Sequence, residues 1–336
     1  LPSCAWDARA RGPRVPRARG ELRQRAALRA QLEGPSGERQ PHHGRAQASM
    51  RGPFMSHMSE RARGVLFVLA AALAWKDEPF RVFDGIGILL CMVFARSAAM
   101  AFNRVADRHI DARNPRTAAR HLPAGTLTAG AVWTLTLICC AGFVASTAIF
   151  PMREPPNWWP LYFSAPTLLF VLGYSLAKRF TSLAHFWLGV ALMLAPVAAW
   201  IAVKGLVELT VPLLLGAAVA FWVTGFDILY ACQDVDFDRE SGLHSVPARF
   251  GIQRSLRIAA LCHAVMFGLL VGLYFASPHL WWVYVGGLVA AGGLLVYEHR
   301  LVRPDDLTRV NRAFFQVNGV ISVGLLVLVL IQLAVK

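Results

Sequence analysis

Long apolar stretches alternate with short polar loops along the chain from residue 64 onward. The apolar segments cover residues 64–75, 84–103, 126–150, 159–177, 183–203, 209–230, 255–276, 279–298 and 313–335. About 20 apolar residues in a helix cross the hydrocarbon core of a bilayer, and every segment except the first approaches or exceeds that length. The pattern therefore predicts an all-α polytopic membrane protein with about nine transmembrane helices, the first of them shortened.

The charged residues agree with this interpretation and give it an orientation. They make up 16% of the chain, whereas about a quarter is usual in a soluble domain. If the N-terminus is cytoplasmic, the loops on that side hold fifteen Lys and Arg residues, against five on the other side. Because cytoplasmic loops carry the excess of basic residues, we expect a multi-pass protein of the cytoplasmic (inner) membrane.

Residues 1–57 differ from the rest of the chain in being rich in Arg, Pro, Gly and Gln. This composition predicts a disordered Arg-rich arm ahead of a membrane domain at residues 58–336. Nucleic-acid binding is another function of Arg-rich arms, but we expect none here because aromatic residues do not alternate with the arginines. Met50, Met55 and Met58 precede the first apolar segment, which favours the hypothesis that part of the arm reflects an upstream start site.

Acidic residues follow the second apolar segment at a regular spacing. Asn103, Asp107 and Asp111 recur every fourth residue, so that a helix would carry all three on one face. Carboxylates at this spacing repel each other, and a hard cation with oxygen ligands would offset the repulsion. The spacing therefore predicts a Mg²⁺ site completed by phosphate oxygens. Solvated acids in a basic loop are the alternative.

A similar motif follows the sixth apolar segment. Asp227, Tyr230, Asp234 and Asp238 fall on one helical stripe, and Asp227 lies among apolar residues near the membrane boundary. An ionisable residue at such a depth is costly and indicates function. Both motifs lie on the same predicted face of the membrane. We therefore expect two facing Mg²⁺ sites bridged by a diphosphate.

Basic and hydroxyl side chains accompany the two motifs. Tyr174, Lys178 and Arg179 lie between the fourth and fifth segments and are candidates for binding the remaining diphosphate oxygens. A positive anchor on the cytoplasmic side is the alternative role of this basic pair. We also expect Arg116 and Arg120, in the loop after the first motif, to bind diphosphate.

Arg96 lies inside the second segment, two helical turns before the first motif. A buried arginine in a membrane helix needs an anionic partner, either a carboxylate of the substrate or a neighbouring aspartate. We expect His109, His121 and His185 to lie at the membrane interface rather than to bind metal, because no pair has metal-ligand spacing. His244 lies closer to the second motif, and its role is left open.

With these motifs, the chain resembles the UbiA superfamily of intramembrane prenyltransferases, and within it the 4-hydroxybenzoate polyprenyltransferase-like group. The patterns NxxxDxxxD at 103–111 and DxxYxxxDxxxD at 227–238 match those of the family, as does the run NPRTAARHLPAG at 114–125. The stretch YSLAKRFTSLAHFWLGVALMLAPVAAW at 174–200 is similar to the group's middle segment. The chain departs from the family over 58–75, where an Arg-rich stretch replaces an aromatic and histidine-containing run.

The resemblance implies a membrane prenyltransferase domain of nine helices around a central cavity, with a cap over its cytoplasmic mouth. It implies Mg²⁺ ligands at Asn103, Asp107, Asp111, Asp234 and Asp238. It also implies diphosphate contacts from Tyr174 and Lys178, and a contact between Arg96 and the aromatic acid.

The predicted function is Mg²⁺-dependent transfer of a polyprenyl group from polyprenyl diphosphate to an aromatic acid, first of all 4-hydroxybenzoate in ubiquinone biosynthesis. A dihydroxynaphthoate of menaquinone biosynthesis is the alternative acceptor. The catalytic candidates are Asp107, Asp111, Asp234 and Asp238 through the metal, and Asp227, which stabilises the allylic cation or assists ring deprotonation. An ion-coupled transporter is the alternative of another class, disfavoured because transporters place such acids near the midplane.

Overall fold

The computed structural model describes residues 68–302, 304, 307, 310 and 317–335. Every regular element within these residues is helical, and this confirms the all-α class. The predicted disordered arm at 1–57 and the hypothesis of an upstream start site lie outside the described residues. So does the beginning of the first apolar segment, where the chain departs from the resembled family.

The α-helices of the described residues are numbered in chain order. They are α1 (68–75), α2 (Val82–Ala106), α3 (Arg108–Arg113), α4 (Ala129–Thr147), α5 (Trp159–Ala177), α6 (Ala184–Lys204), α7 (Thr210–Ala231), α8 (Val235–Glu240), α9 (Val246–Phe250), α10 (Ile252–Ala276), α11 (Trp282–Leu301) and α12 (Asn318–Val335). Short 3-10 helices at Phe150–Met152 and Cys232–Asp234 follow α4 and α7. The long helices match the predicted apolar segments to within a few residues.

Six helices of the described part are long and apolar enough to cross a membrane, namely α2, α4, α5, α6, α7 and α10. Large apolar side chains such as Leu137, Leu169 and Phe275 are exposed on them. In water such a surface would be unfavourable, whereas lipid-facing helices require it. The chain is therefore an integral membrane protein, and the count of nine spans stays a prediction.

Helix α7 is the most buried of the candidate spans. In the segment Thr210–Glu240, 67% of the most apolar stretch is buried, against 22–39% in the other five. Helices α6 and α10 both pack against α7. Contacts continue from α6 to α5, from α5 to α2 and from α2 to α4. On the other side they continue from α10 to α11 and from α11 to α12. The second acidic motif thus follows the most enclosed helix.

Two glycines allow neighbouring helices to approach α7 closely. A Cβ atom on Gly189 of α6 would lie 2.4 Å from the carbonyl oxygen of Ala220. A Cβ atom on Gly225 of α7 would lie 2.4 Å from the ring of His263 on α10. Helices in membranes associate through such small residues because they let the backbones meet. The approach at Gly189 brings the N-terminal half of α6 against the middle of α7.

Replacing Gly189 with Ala is expected to destabilise the protein, because the added methyl group meets backbone that cannot turn away. Overpacking of this kind costs about 1–3 kcal/mol. Gly293 of α11 is the matched control, since its Cβ would meet nothing within 4 Å, and Ala favours a helix over Gly. Thermal unfolding of both variants in detergent checks this. A Gly189→Ala midpoint equal to that of Gly293→Ala would contradict the close packing of α6 on α7.

Candidate active site

Backbone hydrogen bonds keep the first acidic motif on successive turns at the end of α2. The amide of Asp107 donates to the carbonyl of Asn103 at 2.9 Å, and the amide of Asp111 donates to the carbonyl of Asp107 at 2.7 Å. The side-chain amide of Asn103 also donates to the Asp107 carboxylate at 3.0 Å. Although Asp107 separates α2 from α3, the three residues follow one another at the spacing of helical turns.

The second motif is divided between α7 and α8. Asp227 and Tyr230 lie on α7, Asp234 ends the 3-10 turn, and Asp238 lies on α8. The predicted stripe is therefore interrupted, because the chain tightens into a 3-10 turn where α7 ends. Asp234 and Asp238 are both buried. Two carboxylates are thus enclosed just beyond the end of the central helix.

Arg116 joins the two motifs. It lies in the loop after the first motif, and its Nε and Nη2 atoms donate to the two carboxylate oxygens of Asp234 at 2.8 and 2.5 Å. Its Nη1 atom donates to the phenol oxygen of Tyr230 at 3.0 Å. A two-point pair between arginine and carboxylate fixes orientation as well as distance. The loop of the first motif therefore rests on the second motif, although 118 residues separate the two partners in sequence.

Arg120 holds the last carboxylate of the first motif. Its Nη1 atom donates to both oxygens of Asp111 at 2.8 Å. Arg104 approaches the same carboxylate from α2 at 3.9 Å, and the Asp111 side chain is buried. A buried carboxylate is stable only when it is paired or coordinated, and Asp111 meets this condition with two guanidinium groups.

Lys178 and Arg179, which are consecutive in sequence, contact one motif each. Nη2 of Arg179 lies 3.5 Å from Oδ1 of Asp107, and Nζ of Lys178 lies 3.9 Å from Oδ2 of Asp238. Arg179 also donates to the carbonyl oxygen of Ala106 at the end of α2. The turn after α5 therefore lies between the two motifs.

Burial and neighbouring charges shift the pKa values of ionisable side chains at the site. The pKa of Asp107 is raised by burial and by the neighbouring charge of Asp111, and Arg179 only partly opposes this. Burial, the largest single cause, would lower the pKa of Arg116, but its hydrogen bond to Asp234 and the nearby charges of Tyr230, Asp234 and Asp111 together exceed that effect, and the pKa is raised. Asp107 and Asp111 thus repel each other, as their spacing predicts, and additional positive charge would stabilise both as carboxylates.

The donors of this site suit Mg²⁺. Oδ2 of Asp238 is buried and has no hydrogen-bond partner, with Lys178 at 3.9 Å. No three His, Cys, Asp or Glu side chains converge on a common point in the part of the chain that the structure describes. Mg²⁺ does not require three, because it is usually held by one or two carboxylates, substrate phosphates and water. A buried carboxylate oxygen without a hydrogen-bond partner, among side chains that offer oxygen ligands, fits such an ion.

Three other candidate residues lie around this cluster. Tyr174 is on the last turn of α5, one turn before Lys178, and is partly buried. Arg96 is on α2, two turns before Asn103, and is also partly buried. His244 is exposed, and its backbone amide donates to the carbonyl of Lys178 at 2.7 Å. The predicted roles of Tyr174 and Arg96 stay predictions, and His244 contributes a backbone contact.

His185 is enclosed between helices, and its predicted position at the membrane interface stays a prediction. Its side chain has no exposed surface, and its Nδ1 atom lies 2.7 Å from Oδ2 of Asp227. The physical reason is the close packing of α6 on α7, which encloses the first turn of α6. One feature of the sequence indicates a contact with the motifs. His185 lies at the start of an apolar segment, on the same predicted membrane face as both acidic motifs.

The chemistry available at this site follows from these contacts. Carboxylate and amide oxygens that can hold divalent cations lie beside guanidinium and ammonium groups that can bind phosphate oxygens. Asp227 lies two helical turns before Asp234 on the membrane side of the cluster. The arrangement can bind a metal–diphosphate group at the membrane boundary and direct an attached lipid chain towards the apolar helices.

Comparison with known families and proteins agrees with this geometry. The model of the UbiA prenyltransferase family matches residues 64–320. A 4-hydroxybenzoate octaprenyltransferase of Aromatoleum aromaticum is 31% identical over 238 residues, which cover 71% of this chain and 78% of that protein. Another, from Vibrio parahaemolyticus, is 32% identical over 249 residues, which cover 72% of this chain and 83% of that protein.

Solved structures share the fold. The apo structure of a UbiA homolog from Aeropyrum pernix K1 aligns with a TM-score of 0.70 at 28% identity, covering 84% of this chain and 98% of that one. A UbiA homolog from Archaeoglobus fulgidus, solved with DMAPP and Mg²⁺, aligns with a TM-score of 0.60 at 16% identity, covering 84% and 99%. At 16% identity, the second likeness concerns the fold alone.

Proposed function

The chain belongs to the UbiA prenyltransferase family and is a prenyltransferase, and from this premise we propose that it transfers a polyprenyl group from polyprenyl diphosphate to 4-hydroxybenzoate. The names of the two bacterial relatives support this acceptor. The observation that carries the proposal is the two-point pair between Arg116 and Asp234, because it unites both acidic motifs at one site. Family membership also removes the reason to consider an ion-coupled transporter.

In this proposal the diphosphate binds among the basic side chains of the cluster. Lys178 and Arg179 lie between the motifs, so they can bind phosphate oxygens from one side. Arg116 and Arg120 line the other side, and the hydroxyl of Tyr174 supplies a further donor. Charge-assisted hydrogen bonds from several directions hold the leaving group and stabilise its negative charge as it departs.

Two groups of oxygen donors would hold Mg²⁺. Asn103, Asp107 and Asp111 form one group, and Asp234 and Asp238 form the other. When bound, Mg²⁺ supplies positive charge that stabilises the diphosphate as a leaving group. The Oδ2 atom of Asp238, which is buried without a hydrogen-bond partner, supports this assignment.

The reaction forms one carbon–carbon bond and breaks two bonds, the allylic carbon–oxygen bond and one carbon–hydrogen bond of the ring. The allylic carbon separates from the diphosphate, which leaves with the bonding electron pair. The ring carbon ortho to the hydroxyl captures the allylic cation, and loss of the proton from that carbon restores the aromatic ring. Asp227 acts on the cation or on this proton. Apolar helices around the site exclude the water that would otherwise capture the cation.

Arg96 is the residue we assign to the aromatic acid. It lies on α2 two turns towards the membrane interior from Asn103, so its guanidinium group can pair with the carboxylate of the acceptor while the ring faces the site. A dihydroxynaphthoate carries the same carboxylate beside an activated ring. The contacts of Arg96 therefore do not separate these two acceptors, and the choice of 4-hydroxybenzoate rests on the relatives.

We place the site on the cytoplasmic side of the inner membrane. The loops that carry both motifs also carry most of the basic residues outside the apolar segments, and such loops stay in the cytoplasm. A water-soluble acid and Mg²⁺ can reach a site at that face, while the polyprenyl chain remains in the bilayer.

The test is an acceptor panel with purified protein, geranyl diphosphate and Mg²⁺, in which products are identified by mass. We expect geranylated 4-hydroxybenzoate and release of pyrophosphate. Both should be lost when EDTA is added and recovered when Mg²⁺ is restored. Benzoate is the matched control, because it keeps the carboxylate but lacks the hydroxyl that activates the ring, and it should give no product.

Each outcome of the panel has a distinct meaning. Product from 1,4-dihydroxy-2-naphthoate but not from 4-hydroxybenzoate would replace the proposed acceptor and leave the prenyltransferase assignment intact. Product that persists in EDTA would contradict the Mg²⁺ proposal.

A further inference from the structure

His185 is the most enclosed titratable group that touches a candidate catalytic residue. Its side chain has 0% exposed surface, and its Nδ1 atom lies 2.7 Å from Oδ2 of Asp227. The hydroxyl of Thr224 on α7 donates to its backbone carbonyl at 3.3 Å. One turn further along α6, Gly189 lets the two helices meet closely. The imidazole is thus held against α7 from its backbone as well as from its ring.

The second ring nitrogen defines the protonation state of the imidazole. The backbone amide of Val246, the first residue of α9, donates to Nε2 of His185 at 3.3 Å. Amides in the first turn of a helix have no partner within the helix, and here Ser245 and His185 accept from that turn. Because an amide can only donate, Nε2 offers its lone pair. The ring proton of the neutral imidazole is therefore on Nδ1, which donates to Asp227.

From this arrangement, and resting on the proposed function, we propose that His185 is a positioning residue that holds Asp227 as an oriented carboxylate, and that this carboxylate removes the ring proton after prenylation. A hydrogen bond donated to a carboxylate stabilises its ionised form and fixes its direction. His185 is not itself the base, because one of its nitrogens already carries the proton and the other accepts from Val246.

The proton-transfer step is balanced within the site. After the new carbon–carbon bond forms, the ortho carbon carries both the prenyl group and a proton. The proton passes to a carboxylate oxygen of Asp227, and the electrons of the carbon–hydrogen bond return to the ring. Protonated Asp227 gives the proton to water before the next turnover. The side chain of Asp227 is 26% exposed, so water can reach it.

Two amide substitutions separate the two hydrogen bonds of His185. In His185→Asn, the amide nitrogen stands where Nδ1 stood, so the donor to Asp227 is kept and the acceptor for Val246 is lost. In His185→Gln, the longer side chain brings its oxygen to the position of Nε2, so the acceptor is kept and the donor is lost. A role in positioning Asp227 and a role in anchoring α9 therefore predict opposite results.

The measurement is steady-state kinetics with geranyl diphosphate and either 4-hydroxybenzoate or its 3,5-dideuterated form. We expect His185→Gln to lower kcat by about 10- to 100-fold, by analogy with the loss of a hydrogen-bond partner that orients a metal ligand. The KM for geranyl diphosphate should stay near that of the wild type. The deuterium isotope effect on kcat should rise above the wild-type value, because a weakened base makes proton removal slower relative to ionisation. His185→Asn should have the higher kcat of the two variants and the smaller isotope effect.

Three results would overturn the inference. They are an isotope effect in His185→Gln equal to that of the wild type, a greater loss of kcat in His185→Asn than in His185→Gln, and equal kinetics in both variants. If either variant fails to accumulate, Asp227→Asn supplies the same test, since loss of the base must also raise the isotope effect. Failure of the wild type to prenylate 4-hydroxybenzoate would instead count against the proposed function. The deuterated form of the acid that it does prenylate would then serve for His185.

Discussion

Replacing Asp234 by Ala is expected to lower kcat with geranyl diphosphate and 4-hydroxybenzoate by about 10³-fold or more, because the diphosphate loses several kcal/mol of charge stabilisation as it leaves. The Asp234 carboxylate is buried and anchors the Arg116 pair. Its loss removes an oxygen donor proposed for Mg²⁺ and leaves Arg116 without its two-point partner. Initial rates of product formation at saturating Mg²⁺ measure the effect. Asp107→Ala should behave in the same way, since Asp107 represents the other motif.

Asp236→Ala is the matched control for Asp234. Asp236 lies two residues further along, between the two buried aspartates of the second motif, but it is exposed. The substitution removes the same charge two residues away, on α8, without touching the cluster. We expect activity close to that of the wild type. Near wild-type activity in both Asp107→Ala and Asp234→Ala would contradict the two-metal scheme.

Replacing Arg116 by Ala is expected to lower kcat/KM for geranyl diphosphate by about 100-fold. A charge-assisted pair broken at a partly buried position leaves the remaining charge without its partner, which is unfavourable. Here the loss would affect both the position of Asp234 and the proposed contact with diphosphate. Saturation curves with geranyl diphosphate, at fixed Mg²⁺ and acceptor, give the value.

Two further substitutions define what Arg116 does. Arg116→Lys keeps the charge but not the planar fork that meets both oxygens of Asp234, so it should recover only part of the activity. Arg113→Ala is the matched control, because Arg113 is an exposed arginine three residues earlier in the same loop region. Equal activities of the Arg113 and Arg116 alanine variants would show that the pair with Asp234 does not matter for the reaction.

The helices were largely predictable because their signals are local. An apolar stretch of membrane-spanning length requires a helix wherever it meets lipid, since no water is present to bind free backbone groups. The observed α2 and α7 begin and end within a few residues of their predicted segments. The interruption after Ala231 was missed, because the choice between a continuous helix and a 3-10 turn depends on what surrounds the end of α7.

The candidate site was predictable in its members but not in their pairing. The spacing of Asn103, Asp107 and Asp111 indicated mutual repulsion, and the raised pKa of Asp107 agrees with it. Nothing in the spacing indicated that Arg116 would meet Asp234 or that Lys178 would face Asp238. Several arginines of equal charge lie in the same loops, so charge alone does not select a partner.

The sequence by itself determined that the chain crosses a membrane through apolar helices and gathers acidic and basic residues at one face. Those properties follow from the length and spacing of neighbouring residues, which act through local backbone geometry. Only the tertiary structure decided which charges meet, and that His185 reaches Asp227 across 42 residues of sequence. That contact depends on how closely α6 lies on α7. Its physical reason is the absence of a side chain at Gly189, where a single methyl group would hold the helices apart.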